Sequence, residues 1–168
     1  MLNLGTIGFG FMKASFFASD ENRQSTVEAL HTALDMGVRL FDTADIYAPT
    51  WDAFGHNELL AAEAMRTHPL GSQAIIATKA GITRKPGEVW GRNASLDYLL
   101  RAAEASAGRL GVSRISLWQH HRLDPNMPFE QQLENLAGLR QRGIIENIGV
   151  SNYSAKQLRR ALDVVGPI

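Results

Sequence analysis

The 168-residue sequence has no cysteine and no excess of charge of either sign. The lack of cysteine excludes disulfide bonds and thiolate metal sites. Lysine plus arginine and aspartate plus glutamate number 17 each, so no net field would draw the chain to nucleic acid or to an anionic membrane. We therefore expect neither nucleic acid nor a membrane as a partner.

Long apolar runs are also missing. No stretch is long enough to cross a bilayer, and the first residues, MLNLGTIGFG, lack the basic region of a secretory signal. A cytoplasmic location is the expectation that follows. The composition, 45% hydrophobic and 20% charged, is typical of a globular domain, and we expect residues 1–168 to form a single domain around one core.

Short, β-rich apolar runs alternate along the chain with longer segments whose apolar residues recur at helical spacing. Strands are predicted at residues 6–12, 38–44, 74–80, 114–121 and 146–152. Glycines at positions 37, 111, 143 and 166 are predicted to end four helices, and Ser154 with Gln157 predicts a capping box at the start of a fifth. Repeated strand–helix units of about 30 residues favour an α/β fold with a parallel sheet, either doubly wound and open or closed into an eightfold barrel.

Polar residues are concentrated where the predicted strands end. These residues are Asp42 and Tyr47, Lys79, His121, and Ser151 with Asn152. In both architectures the carboxyl ends of parallel strands form the functional rim, so we expect these side chains to converge. A buried lysine ammonium needs a carboxylate partner, and Asp42 on the neighbouring strand can supply one. A purely structural ion pair at the rim is the alternative.

Two local patterns argue against other kinds of site. His120 and His121 are adjacent in a predicted strand and point to opposite faces, so both cannot bind one metal ion. We expect His121 to face the site and His120 to pack in the core beneath a helix. Gly8 and Gly10 lack the third glycine and the following helix of a dinucleotide-binding turn, which argues against a Rossmann fold.

Four segments, in order, resemble motifs of the aldo-keto reductases: GVRLFDTADIY, IIATKAG, LWQHHRLDP and GIIENIGVSN. The resemblance implies a (β/α)8 TIM-type barrel, of which about the first five βα units are present, and NADPH as the cofactor, with NADH as the alternative. It implies a catalytic tetrad of Asp42, Tyr47, Lys79 and His121, and no metal. The implied reaction is reduction of a small aldehyde or ketone to an alcohol.

The same resemblance implies roles for residues around the tetrad. Gly10, Phe11, Met12 and Asp42 are implied to lie against the cofactor, and Ser151 and Asn152 to hold its nicotinamide carboxamide. The segment APTWDAFGHNE is longer than the compact family loop, and we assign its Trp51 and Phe54 to the substrate pocket.

In the implied reaction Tyr47 donates a proton to the carbonyl oxygen. We expect the Lys79 ammonium to lower the Tyr47 pKa, Asp42 to keep Lys79 charged, and His121, neutral or charged, to orient the carbonyl or to assist proton transfer. Asp45 is expected to be a loop acid without a catalytic role.

Two other classes of function stay open. One is a metal-dependent hydrolase or lyase that uses Asp42, Asp45 and a histidine as ligands. The other is an inactive, truncated barrel that serves as a binding module, because an eightfold barrel usually takes about 250 residues. Five units cannot close such a barrel, so we expect unpaired strand edges, self-association or rearrangement of the chain, weak NADPH binding and negligible reductase activity.

Overall fold

The computed structural model describes residues 3–16 and 19–168, so residues 1, 2, 17 and 18 of the predicted domain lie outside the described part. The strands are β1 (Gly8–Gly10), β2 (Leu40–Asp42), β3 (Ile75–Ala80), β4 (Ile82–Lys85), β5 (Val89–Arg92), β6 (Ile115–His120) and β7 (Ile145–Val150). The α-helices are α1 (Asp20–Asp35), α2 (His56–Arg66), α3 (Leu96–Leu110), α4 (Phe129–Gln141) and α5 (Ala155–Val165). Short 3-10 helices span Met12–Ser15 and Gly71–Gln73.

One five-stranded sheet organises the molecule, in the order β1-β2-β3-β6-β7, and every neighbouring pair is parallel. Successive strands are joined by helices, as in the first part of a (β/α)8 barrel. The predicted α/β class is therefore confirmed. Within the described ranges, no helix is long and apolar enough to cross a membrane.

The second strand is shorter than predicted, and Tyr47 lies in the loop beyond it rather than at its end. The chain leaves the sheet gradually, because the Thr43 and Asp45 amides still donate to the Ala77 and Lys79 carbonyls at 2.8 and 3.0 Å. This continued attachment to β3 carries the loop along the rim of the sheet.

The antiparallel hairpin β4–β5 was not predicted. Gly81, with a φ of 115°, turns the chain out of β3, and a Cβ there would lie 2.9 Å from the His120 ring. Gly87 and Glu88 make the hairpin turn with φ values of 76° and 62°. The Pro86–Gly87 dipeptide was the sequence signal for this turn.

Two apolar clusters pack the helices against one face of the sheet. The first joins β6 and β7 to α3, α4 and α5 around the fully buried Trp118, and the second joins β1 and β2 to α1 and α2 around Phe41. The helical stripes expected from the sequence are largely buried, with Leu99, Ala103 and Leu110 on α3 and Leu133, Leu136 and Leu139 on α4.

Most of the predicted helix ends are confirmed. Ser154 and Gln157 form the capping box of α5, and Gly111 ends α3 in the left-handed conformation. Gly37 and Gly143 also follow their helices with positive φ. Gly166 has a φ of 82° but a ψ of −154°, so its backbone is extended rather than left-handed helical.

A buried ion pair ties α2 to β3 and α3. The Glu58 side chain is fully buried, accepting a hydrogen bond from the Thr78 hydroxyl at 2.5 Å and pairing with Arg109 Nε at 2.5 Å. Gly55 makes room for this pair, because a Cβ there would lie 2.1 Å from the Arg109 side chain.

Replacing Glu58 with alanine is expected to lower the free energy of unfolding by about 3 kcal/mol, because Arg109 loses its counter-ion and the buried Thr78 hydroxyl loses its acceptor. Urea unfolding followed by circular dichroism measures the change. Glu134→Ala, at an exposed position of α4, is the matched control and should stay within about 0.5 kcal/mol of wild type. A loss below about 1 kcal/mol for Glu58→Ala would contradict this account of the pair.

Candidate active site

An ion pair between Lys79 and Asp42 lies at the carboxyl end of the sheet. Lys79 Nζ is 2.7 Å from Asp42 Oδ2 and donates a second hydrogen bond, of 2.6 Å, to the Thr43 carbonyl. Lys79 is only 5% exposed, and burial lowers its pKa, an effect that the charges of Asp42 and Asp45 oppose. The predicted pairing of Lys79 with Asp42 is confirmed.

Gln119 holds the other oxygen of the same carboxylate, and the sequence analysis missed it. Its Nε2 donates to Asp42 Oδ1 at 3.0 Å, so the two Asp42 oxygens accept hydrogen bonds from side chains of β3 and β6. A Cβ at Gly149 would lie 2.8 Å from Gln119 Cγ, so the glycine provides the space that Gln119 occupies. The alternation of β6 was the available signal, because Gln119 shares a strand face with His121.

Tyr47 lies between Lys79 and His121. Its ring centroid is 5.0 Å from Lys79 Nζ and 5.7 Å from the His121 ring, with an interplanar angle of 82°. Burial, and then the charges of Asp42 and Asp45, raise the pKa of Tyr47 to about 12. The expected lowering of this pKa by Lys79 is therefore wrong for this arrangement, since Lys79 lies over the phenol ring and directs its hydrogen bonds to Asp42 and Thr43.

His121 directly follows β6 and is held through its main chain. Its amide donates to the Ala80 carbonyl at 2.9 Å, and its carbonyl accepts from Asn152 Nδ2 at 3.1 Å. Burial lowers the pKa of His121 to about 3, with further lowering by the positive charges of Lys79, Arg122 and Arg92. The imidazole is therefore neutral at physiological pH.

His120 lies in the core, as predicted. It is fully buried, and its Nδ1 is 2.9 Å from the Tyr153 hydroxyl. Burial lowers the pKa of His120 to about 4. Its Nε2 has no hydrogen-bond partner in the described part of the chain.

Asp45 is buried in the loop after β2. It is 2% exposed, and burial together with the charge of Glu58 raises its pKa well above the usual range. Its Oδ1 has no hydrogen-bond partner among the described residues. No group of three histidine and acidic side chains in residues 3–16 and 19–168 is arranged to hold a metal ion, and Asp42 instead binds Lys79 and Gln119.

Asn57, at the start of α2, fixes the position of the Tyr47 loop. Its main-chain amide donates to the Tyr47 carbonyl at 3.1 Å, and its side-chain Oδ1 accepts a hydrogen bond from the Thr43 hydroxyl at 2.7 Å. Its Nδ2 donates to the Phe11 carbonyl and to Ser15 Oγ at 3.0 and 2.8 Å. The fully buried Asn57 thus joins the segment after β1 to the Tyr47 loop. No sequence motif had indicated this role of Asn57.

Apart from Asp42, the residues predicted to bind a cofactor lie at the carboxyl ends of β1 and β7, the two edge strands of the sheet. Gly10 ends β1, Phe11 is buried and Met12 is 40% exposed. Ser151 and Asn152 directly follow β7, and Asn152 Nδ2 donates to Ser151 Oγ at 2.8 Å. This bond leaves Asn152 Oδ1 as an acceptor and the Ser151 hydroxyl as a donor, a pair that complements a primary carboxamide.

The two aromatic residues predicted for the substrate pocket have different surroundings. Trp51 is 38% exposed, and its amide donates to Glu88 Oε1 in the hairpin at 3.0 Å. Phe54 packs against the buried cluster of Ala44, Ile46 and Ile82 and lines a cleft beside α3. Their assignment to a substrate pocket stays a prediction.

Arg84 attaches the long loop to the hairpin. It donates to the carbonyls of Ala48 and Pro49 at 2.9 and 3.1 Å, forms an ion pair with Glu88 and lies over the Trp90 ring. Arg84 therefore joins the loop that follows Tyr47 to the β4–β5 hairpin.

The chain matches the sequence profile of the Aldo/keto reductase family over residues 6–167, and it therefore belongs to that family. The aldo-keto reductase YhdN of Bacillus subtilis (strain 168) is 32% identical over 157 residues, which cover 94% of this chain and 44% of YhdN. The chain spans about half the length of the curated relatives it matches.

Solved structures share the fold. The glycerol dehydrogenase AKR11B4 from Gluconobacter oxydans aligns with a TM-score of 0.81 and 28% identity, over 96% of this chain and 49% of its own. The holo form of the aldo-keto reductase AKR11C1 from Bacillus halodurans aligns with a TM-score of 0.81 and 26% identity, over 99% of this chain and 52% of its own. The observed sheet is consistent with part of the barrel of such proteins.

The His121 imidazole is expected to stay neutral down to pH 5, because its pKa is about 3 rather than the usual value near 6.5. The unfolded chain takes up this proton near pH 6.5, whereas the folded chain does so only near pH 3, so this histidine lowers the free energy of unfolding as the pH falls across that interval. A ¹⁵N NMR titration of the imidazole, assigned with His121→Gln, measures the pKa. Half-protonation above pH 5 would contradict the described environment.

Proposed function

We propose that this chain carries the catalytic residues of an NADPH-dependent reductase that converts an aldehyde or ketone to an alcohol. The observation that carries the proposal is the contact of Tyr47 with both Lys79 and His121, while Asp42 binds the Lys79 ammonium at 2.7 Å. Membership of the Aldo/keto reductase family and the fold shared with a glycerol dehydrogenase support the reaction class.

The proposed proton donor is Tyr47. Carbonyl reduction leaves negative charge on the substrate oxygen, which needs a proton donor within hydrogen-bond reach. With a pKa of about 12, the Tyr47 phenol keeps its proton at neutral pH. It donates this proton only when negative charge on the substrate oxygen makes that oxygen basic. The phenolate that remains is stabilised by the Lys79 ammonium, whose distance of 5.0 Å is measured to the ring centre.

Asp42 and Gln119 are proposed to position the lysine. Because Gln119 and Lys79 each occupy one oxygen of the Asp42 carboxylate, the carboxylate cannot rotate without losing a hydrogen bond. The neutral His121 imidazole is proposed to orient the carbonyl by hydrogen bonding, since its pKa of about 3 makes it a poor proton reservoir.

Ser151 and Asn152 are proposed to hold the nicotinamide carboxamide through the donor and acceptor that their mutual hydrogen bond leaves available. When bound, the nicotinamide cofactor supplies the hydride. Gly10, Phe11, Met12 and Asp42 are proposed to contact the rest of its nicotinamide half, with NADPH preferred and NADH as the alternative. Trp51 and Phe54 are proposed to contact the substrate.

In a protein that contains this chain within a complete barrel, replacing Tyr47 with phenylalanine is expected to lower kcat by about 10²-fold or more, because the change removes only the proton-donating hydroxyl. NADPH oxidation with para-nitrobenzaldehyde measures kcat, and cofactor fluorescence checks that NADPH affinity is unchanged. Tyr98→Phe is the matched control, since its hydroxyl donates to the Ile82 carbonyl at 3.2 Å, away from Lys79.

A Tyr47→Phe variant that stays within a few-fold of wild type, or that loses no more activity than Tyr98→Phe, would contradict the assignment. A folded protein with the complete barrel that binds NADPH but reduces no carbonyl compound would favour the inactive binding module instead.

A further inference from the structure

We propose that the substrate carries an anionic group, a carboxylate or a phosphate, and that Arg92 and Arg122 bind it. This inference rests on the proposed reductase function and adds the chemical class of its substrate. Arg92 is the last residue of β5, and Arg122 directly follows His121.

The two arginines share one cleft. The cleft has a volume of about 330 Å³ and is lined by Arg92, Arg122, Leu123, Pro125 and Asn152. Two guanidinium groups on one small cleft fit an anion, because guanidinium binds carboxylate and phosphate through paired hydrogen bonds.

The cleft adjoins the candidate active site. Asn152, which lines it, donates to the His121 carbonyl at 3.1 Å. The positive charges of Arg122 and Arg92 also act on the His121 imidazole, where they contribute to lowering its pKa. An anion held in the cleft would therefore belong to a molecule within reach of the catalytic residues.

Neither arginine has a carboxylate partner in the described part of the chain. The ion pairs that involve arginine there are Arg23–Glu63, Arg84–Glu88, Arg109–Glu58 and Arg160–Glu130. Arg92 donates to the Gly91 carbonyl at 3.0 Å, a contact that leaves its charge without a counter-ion.

Asp124, two residues after Arg122, is not among the residues that line the cleft. Asp124 is 8% exposed, and its Oδ1 accepts a hydrogen bond from the Asn126 amide at 2.9 Å. Within the described residues this acid forms no ion pair with Arg92 or Arg122. Leu123 and Pro125 add apolar contact, so a compact apolar body with one anionic end fits the lining residues.

The test compares two ligands that differ in charge, para-carboxybenzyl alcohol and para-(hydroxymethyl)benzamide, by isothermal titration calorimetry on the full 168-residue chain. Wild type should bind the carboxylate about tenfold more tightly than the amide, as expected for a charge-assisted hydrogen bond. The Arg92→Gln/Arg122→Gln double variant should bind both ligands equally. Arg159→Gln, at an exposed position of α5, is the control and should keep the wild-type preference.

Equal affinity for the two ligands in wild type, no measurable binding of the carboxylate, or a preference retained in the double variant would overturn the proposal. The phosphates of the cofactor are the other source of an anion. A double variant that weakens NADPH binding about tenfold and leaves carboxylate binding unchanged would assign the arginines to the cofactor and overturn the substrate assignment. Circular dichroism confirms that each variant is folded.

The binding affinities are measured without turnover, so the anion site can be tested separately from the proposed reductase activity. The two proposals can therefore fail separately. If the carboxylate preference depends on Arg92 and Arg122 but Tyr47→Phe does not lower kcat, the anion site is supported and Tyr47 is rejected as the proton donor.

Discussion

The candidate site depends on how a buried ammonium is neutralised. Lys79 belongs to a buried strand whose other residues, apart from Thr78, are apolar. An unpaired charge there would cost several kcal/mol, so the surroundings of Lys79 must supply negative charge and hydrogen-bond acceptors. Asp42 and the Thr43 carbonyl do so at 2.7 and 2.6 Å. Gln119 fixes the second Asp42 oxygen and fits only because Gly149 has no side chain. Tyr47 then lies against a charge whose position is set by three strands.

The same low-polarity surroundings keep the neighbouring groups uncharged. Burial keeps the proton on Tyr47, whose pKa rises to about 12, and keeps His121 neutral. The site therefore combines one fixed positive charge, one carboxylate and two neutral hydrogen-bonding rings. Such an arrangement suits a reaction that creates negative charge on a substrate oxygen, because the charge that stabilises it is already in place.

The sequence predicted the parts of this arrangement that follow from local patterns. Alternating strands and helices predicted the parallel sheet, and the cost of burying Lys79 predicted its pairing with Asp42. The contribution of Gln119 was missed because it lies 77 residues from Asp42, and the β4–β5 hairpin because its strands are short. The predicted direction of the Tyr47 pKa shift was wrong because burial, which the sequence does not quantify, and the charges of Asp42 and Asp45 raise this pKa. The roles assigned to Trp51 and Phe54 stay predictions.

The central claim is that Asp42 maintains the charge of Lys79 beside Tyr47, and a ¹⁵N NMR titration of Lys79 Nζ tests it most directly. In wild type the ammonium should be charged at neutral pH with a pKa below the usual lysine value, because burial lowers the pKa and Asp42 partly offsets it. In Asp42→Asn the pKa should fall further, since the desolvation remains while the compensating charge is lost. Titration of Lys79 at the same pH in both proteins would contradict the account.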